Sequence, residues 1–142
     1  MAIRQISVFV ENKPGRLAEI TGYLAEGAVS SCAFSFADTA EFGILRLSVS
    51  ASEKAGQVLR DAGVAVSITD VVGVSIPDVT GAFANVVRTL ADAGENVEYA
   101  YAFLTPEAGH AYVILRVDDD QKAADILREN DIALIDEAAV LG

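Results

Sequence analysis

Apolar residues fall at every second position at Ile6, Val8 and Val10, the period of a half-buried strand. Sixty-six positions later Val72, Val74 and Ile76 do the same. Leu17, Ile20 and Leu24 form a stripe at helical spacing, and Phe83, Val86 and Leu90 repeat it at the same offset. Leu45, Leu47 and Val49 alternate again, matched by Val113, Leu115 and Val117 at an offset of 68. Ala55, Val58 and Leu59 mark a second helical face, matched by Ala123, Ile126 and Leu127, and Arg60 maps onto Arg128. The chain is therefore written twice, with a small insertion in the middle of the second copy.

Each copy reads strand, helix, strand, strand, helix, strand. The first copy places these at about 3–10, 16–26, 28–37, 42–50, 53–62 and 64–69. The second places them at about 71–76, 80–93, 96–104, 110–117, 120–130 and 132–139. Asp38-Thr39-Ala40-Glu41 and Thr105-Pro106-Glu107-Ala108-Gly109 suit hairpin turns between the central strands. Such a unit folds as a four-stranded antiparallel sheet with both helices on one face and right-handed crossovers. The expected fold is α+β: two ferredoxin-like βαββαβ repeats, residues 1–70 and 71–142, docked side by side. A copy of fewer than ~75 residues is marginal alone, and its edge strands need cover. Thr69-Asp70-Val71 runs straight from one copy to the next, so docking of copies, and of two chains, is expected.

Of the 142 residues, 52% are hydrophobic and 22% charged, with a mean hydropathy of +0.37, ample for a packed core. No apolar run reaches the roughly 18 residues that span a bilayer. The start, MAIRQISVFV, lacks a small-residue cleavage site, which argues against a signal peptide. One cysteine, Cys32, gives no disulfide framework, and a cytoplasmic setting follows as the simplest reading. The net charge of −11 disfavours nucleic acid as a partner, and no membrane partner is expected. Residues 1–70 carry six Lys/Arg and eight Asp/Glu, whereas residues 71–142 carry four and thirteen.

The first strand–helix junction is Asn12-Lys13-Pro14-Gly15-Arg16-Leu17, and its counterpart is Asp78-Val79-Thr80-Gly81-Ala82-Phe83. Asn or Asp can cap a helix through its side-chain oxygen. Glycine admits close backbone approach. The helix beyond presents free amides and partial positive charge to a carboxylate, and an Asn side chain can read an α-amino or α-carboxyl group. The simpler alternative, a capped and glycine-hinged turn, stays open at this point.

This turn, set inside a βαββαβ unit, resembles that of the ACT domain, a small regulatory module that binds amino acids. The doubling resembles the stand-alone tandem ACT proteins of bacteria and archaea. Two further stretches support the likeness: ADTAEFGILRL from Ala37 to Leu47 and NVEYAYAF from Asn96 to Phe103. The resemblance implies ligands at the interface between two modules, touching the loop after the first strand. It carries over to Asn12, Pro14, Gly15 and Leu17, and to Asp78, Gly81 and Phe83. Thr80 stands where the pattern has Pro, and Ser30-Ser31 where it has Asn-Ile. Lys13 and Arg16 flank the first turn, so an amino-acid carboxylate is expected to prefer residues 11–17, with a weaker or structural second site.

Arg46, on the strand face opposite Leu45 and Leu47, can clamp a carboxylate, pair with Asp38 or Glu41, or lie exposed. Tyr99, Tyr101 and Phe103 share one strand face, the pattern of a core or interface surface first and of a ligand wall second. Cys32 and His110 are each single and point to neither catalysis nor a metal. Asp118-Asp119-Asp120 lacks a calcium-loop spacing and reads as helix capping. No catalytic residue, metal or cofactor is assigned. The expected protein is non-enzymatic and homodimeric, binds a small-molecule amino acid ligand and regulates through it. The alternatives are a detached regulatory subunit with a biosynthetic enzyme as partner and, last, an enzyme on the same scaffold.

Overall fold

The structure, a computed structural model, describes residues 3–28, 31–38, 42–49, 51–103 and 108–141. Its elements in chain order are β1 (Ile3–Glu11), α1 (Arg16–Glu26), β2 (Ser31–Asp38), β3 (Phe42–Val49), α2 (Ser52–Asp61) and β4 (Val66–Pro77). There follow α3 (Ala82–Asp92), β5 (Val97–Phe103), β6 (His110–Val117), α4 (Asp120–Glu129), β7 (Ala133–Ile135) and α5 (Glu137–Leu141). Contacts divide the chain into two compact units, Arg4–Thr69 with Val140–Gly142, and Asp70–Ala139 with Met1–Ile3.

In the N-terminal unit the strand order is β2-β3-β1-β4. Antiparallel register sets Ile6 opposite Leu47 and Val8 opposite Leu45. Opposed residues in a ladder point to the same face. That face carries Ile6, Val8, Val10, Leu45, Leu47 and Val49, and onto it pack Ile20 and Leu24 of α1 and Ala55 and Leu59 of α2. Both helices thus cover one face, as the alternation of apolar positions requires. The C-terminal unit repeats the plan in the order β7-β4-β6-β5, with Val72 opposite Leu115 and Val74 opposite Val113. Its core joins those strands to Val86 and Leu90 of α3 and to Ala123 and Leu127 of α4. Even the irregularity is copied: the register shifts between Ser31 and Ala33 and between Val97 and Tyr99.

Three elements differ from expectation. The strands expected at 64–69 and 71–76 are one strand, β4, which runs through Asp70 and Gly73 without a turn. The last strand, expected over 132–139, stops at Ile135. There the Asp136 carboxylate accepts a hydrogen bond from the Ala139 amide at 2.9 Å and starts α5. The second strand begins at Ser31 rather than residue 28, since Ala28 takes φ 57° and closes α1 through its amide to the Ala25 carbonyl at 3.1 Å. The hairpin turn at Thr39-Ala40-Glu41 and most of that at Thr105-Pro106-Glu107 lie outside the described residues, as does the Ser30 part of the departure at Ser30-Ser31.

Ala28 corresponds to Gly94, which holds φ 79° at the end of α3. One backbone shape is thus served by alanine in one copy and glycine in the other. Left-handed geometry costs an L-residue about 1–2 kcal/mol. Ala28→Gly is therefore expected to stabilise the N-terminal unit by up to about 1 kcal/mol, the glycine's own chain entropy offsetting part of the relief. Gly94→Ala should destabilise the C-terminal unit by about 1 kcal/mol or more. Urea unfolding of the two variants checks the opposite signs.

Candidate functional site

At both strand–helix junctions the N-cap residue is a glycine in the left-handed region, Gly15 at φ 83° and Gly81 at φ 89°. Neither helix has a side-chain cap, so the capping role expected of Asn12 and Asp78 is not realised. Backbone bonds close the turn instead. The Lys13 amide donates to the Glu11 carbonyl at 2.8 Å and the Arg16 amide to the Lys13 carbonyl at 3.2 Å. The second copy repeats both, Val79 to Pro77 at 2.9 Å and Ala82 to Val79 at 3.2 Å. A Cβ built on either glycine meets nothing within 4 Å. Glycine is there for the positive φ, not for a close approach. The side chains of Asn12 and Asp78 are exposed, beside the first-turn amides that a helix leaves without internal partners.

Each turn overhangs a cleft in its own unit. The first cleft, about 250 Å³, is lined by Val10, Glu11, Asn12, Lys13 and Leu17 from the turn, with Phe36 and Gly43 from the strands. The second, about 330 Å³, is lined by Ile76, Asp78, Val79, Ala82 and Phe83, with Ala100, Ala102 and Ala111 among its strand residues. Of the expected site residues, Asn12, Lys13 and Leu17 meet in the first cleft and Asp78 and Phe83 in the second. Pro14, Gly15 and Arg16 shape the first turn without lining its cleft. Gly81 lines an adjoining hollow of about 500 Å³, together with Asn85, His110 and Asn130. The sequence reading missed Phe36, Gly43, Val79, Ala100, Ala102 and Ala111. Their signal was present: Phe34 and Phe36 map onto Ala100 and Ala102 at the offset of 66, a change of size within an otherwise matched pair of copies.

The cations of the first turn are engaged. Lys13 Nζ lies 2.9 Å from Glu11 Oε2, and Arg16 Nη1 lies 2.9 Å from Glu19 Oε2. Lys13 holds the Glu11 carboxyl below its usual range, by its hydrogen bond and then by its charge. The positive charge expected to favour this turn is thus offset by two glutamates. In the second copy Pro77, Val79, Ala82 and Asn85 take those four positions. Asp78 is the one charged residue lining that cleft among the described residues.

Of the remaining candidates, only Tyr101 lines either of the two clefts among the described residues. Arg46 stands opposite Ser7 and Ser35, half-buried on the face away from the helices. Of its expected partners, Glu41 lies outside the described residues and the Asp38 side chain is likewise outside the description, as is that of Cys32. Tyr99, Tyr101 and Phe103 stand opposite Arg116, Ile114 and Tyr112, and Tyr101 is also among the residues that line the second cleft. Phe103 meets Tyr112 edge to face with ring centres 5.6 Å apart. Asp119 caps α4, accepting from the Lys122 amide at 3.1 Å. His110 Nδ1 lies 3.4 Å from the Ala108 carbonyl oxygen. Among the described residues no group of three or more His, Cys, Asp or Glu side chains is arranged to hold a metal ion, and no helix is long and apolar enough to cross a membrane.

Comparison with known proteins places these features in context. A family model described as an ACT domain pair matches residues 1–141. The chain is similar to protein BT0572 from Bacteroides thetaiotaomicron, with 40% identity over 99% of this chain and 96% of that one and a TM-score of 0.90. It shares its fold with the ligand-free regulatory subunit of aspartate kinase from Thermus thermophilus, at 18% identity over 89% and 91% of the two chains and a TM-score of 0.65. The aspartokinase alpha and beta subunits share it too, at 20% identity over 89% and 90% and a TM-score of 0.59. No curated protein matches the chain.

In the C-terminal unit, burial raises the Asp120 carboxyl above its usual 3.8, against the pull of Arg116 and with help from Asp70, Asp119 and Glu95. The folded chain therefore binds more protons at this group than the unfolded chain between the two values, and stability from this group rises as pH falls through the folded value, levelling off below the unfolded one. Asp120→Asn removes that slope. In urea unfolding from pH 7 to pH 4, wild type should gain stability relative to the variant on acidification.

Proposed function

The chain belongs to the ACT domain pair family, and from that membership we propose that it is a non-catalytic regulator that senses a free amino acid. The observation that carries the reading is the duplicated turn. In each unit a left-handed glycine starts the helix that follows the first strand, and the turn before it lines a cleft. Backbone amides at a helix N-terminus suit a carboxylate, and the side-chain oxygen of Asn12 or Asp78 suits an α-ammonium group. The proposed contacts are Asn12, Lys13, Pro14, Gly15, Arg16 and Leu17 in one unit and Asp78, Gly81 and Phe83 in the other. Regulation then follows from linkage: the ligand shifts the chain, as a cytoplasmic homodimer, toward whichever state binds it more tightly.

A second reading is a detached regulatory subunit of a biosynthetic enzyme. What favours it is that the same fold serves as the regulatory subunit of aspartate kinase in Thermus thermophilus. A thermal-shift screen of the protein amino acids separates the two. At one hundred times its dissociation constant a ligand should stabilise the chain by about 2.7 kcal/mol. A flat screen with co-purification of an enzyme would decide for the second reading.

A further inference from the structure

We infer that the cleft of the C-terminal unit is the one that receives the ligand's side chain, and that this side chain is a neutral aliphatic one. The inference rests on the amino-acid reading above and adds where and what class.

The two clefts are built on one register and filled differently. Phe36 of β2 stands opposite Leu45; its counterpart, Ala102 of β5, stands opposite Val113. Phe34 and Ala100 are matched likewise, opposite Leu47 and Leu115. Both pairs point to the helix side of their edge strands. In the N-terminal unit the Phe36 ring lies over Gly43, where any Cβ would overlap it. The position equivalent to Gly43 is Ala111, which a phenylalanine at position 102 would strike. Each copy is therefore matched within itself: a ring over a glycine, or two alanines facing open space. The protein's own Phe36 narrows the first cleft, which measures about 250 Å³ against about 330 Å³ for the second.

The walls of the open cleft state the chemistry. Ile76, Val79, Ala82, Phe83, Ala102 and Val113 are apolar, and Val79 and Phe83 remain 65% and 45% exposed at its mouth. Apolar surface held in water is the surface a ligand gains by covering. At about 330 Å³ the cleft is at the small end of ligand cavities. Asp78 complements an ammonium group and repels an acidic side chain. Among the described residues no cation lines the cleft to counter an anionic side chain, and Asp78, the one anion that lines it, is taken by the ligand's ammonium group.

The test is isothermal titration of the full chain with L-leucine, L-valine, L-aspartate and L-lysine. Wild type is expected to bind leucine or valine and to leave aspartate and lysine unbound. Ala102→Phe with Ala111→Gly installs the N-terminal pair in the C-terminal unit and should weaken binding at least tenfold. Phe36→Ala with Gly43→Ala makes the reverse change and should leave that affinity within twofold. Val79→Asp, at an exposed position, should weaken binding tenfold while the melting temperature of the free protein stays put, which keeps the inference testable if the double variant fails to fold. Binding that survives Ala102→Phe/Ala111→Gly and Val79→Asp, or is lost in Phe36→Ala/Gly43→Ala, overturns the assignment to this cleft but not the amino-acid reading. Preference for aspartate or lysine overturns the ligand class alone. Absence of any amino-acid binding overturns both.

Discussion

The pairing of the first with the third strand of each unit decides which side chains the helices can reach. Val8 against Leu45 and Val74 against Val113 set a face whose apolar residues are covered by α1 with α2, or by α3 with α4. Side chains alternate with period two, so a slip of one residue would turn that whole face to solvent and bring the opposite one in. The register is therefore held by the full core rather than by any one contact. The edge strands inherit it: β2 and β5 pair with the same central strands, which fixes Phe36 and Ala102 on the helix side before either has a partner to pack against. The clefts are a by-product of this constraint. They form where the turn, the helix start and the edge strand enclose a volume that the core does not fill.

Much of this was legible along the chain. The repeat, its two offsets, the six elements per copy and the core faces follow from apolar spacing alone, because burial on one face leaves a periodic trace. What escaped detection leaves no such trace. The continuity of β4 depends on the absence of a turn between Thr69 and Val71, which periodicity does not report. The early end of β7 depends on a single cap from Asp136. The Asn and Asp of the turns look like caps by residue type, yet the left-handed glycines that follow them put the helix start out of their reach. Phe36, Ala102 and Ala111 were hidden because they sit on strands distant in sequence from the turn they face.

Charge was the least legible quantity. Counting Lys13 and Arg16 near one turn suggests an anion site; pairing them with Glu11 and Glu19 cancels it locally. Exposed pairs of this kind contribute little to stability, but they reshape the field a ligand would meet. A count by residue type sees the ions and misses their partners.

The ring of Phe36 over Gly43 also limits the routes by which the two copies can have drifted apart. Going from a ring and a glycine to two alanines, adding the methyl group first drives it into the ring. Removing the ring first leaves a hollow at the surface, which a protein tolerates. In the reverse direction the methyl group must go before the ring arrives. In each direction one order of substitution makes the half-exposed ring turn aside and the other does not, and neither arrangement is a single step from the other.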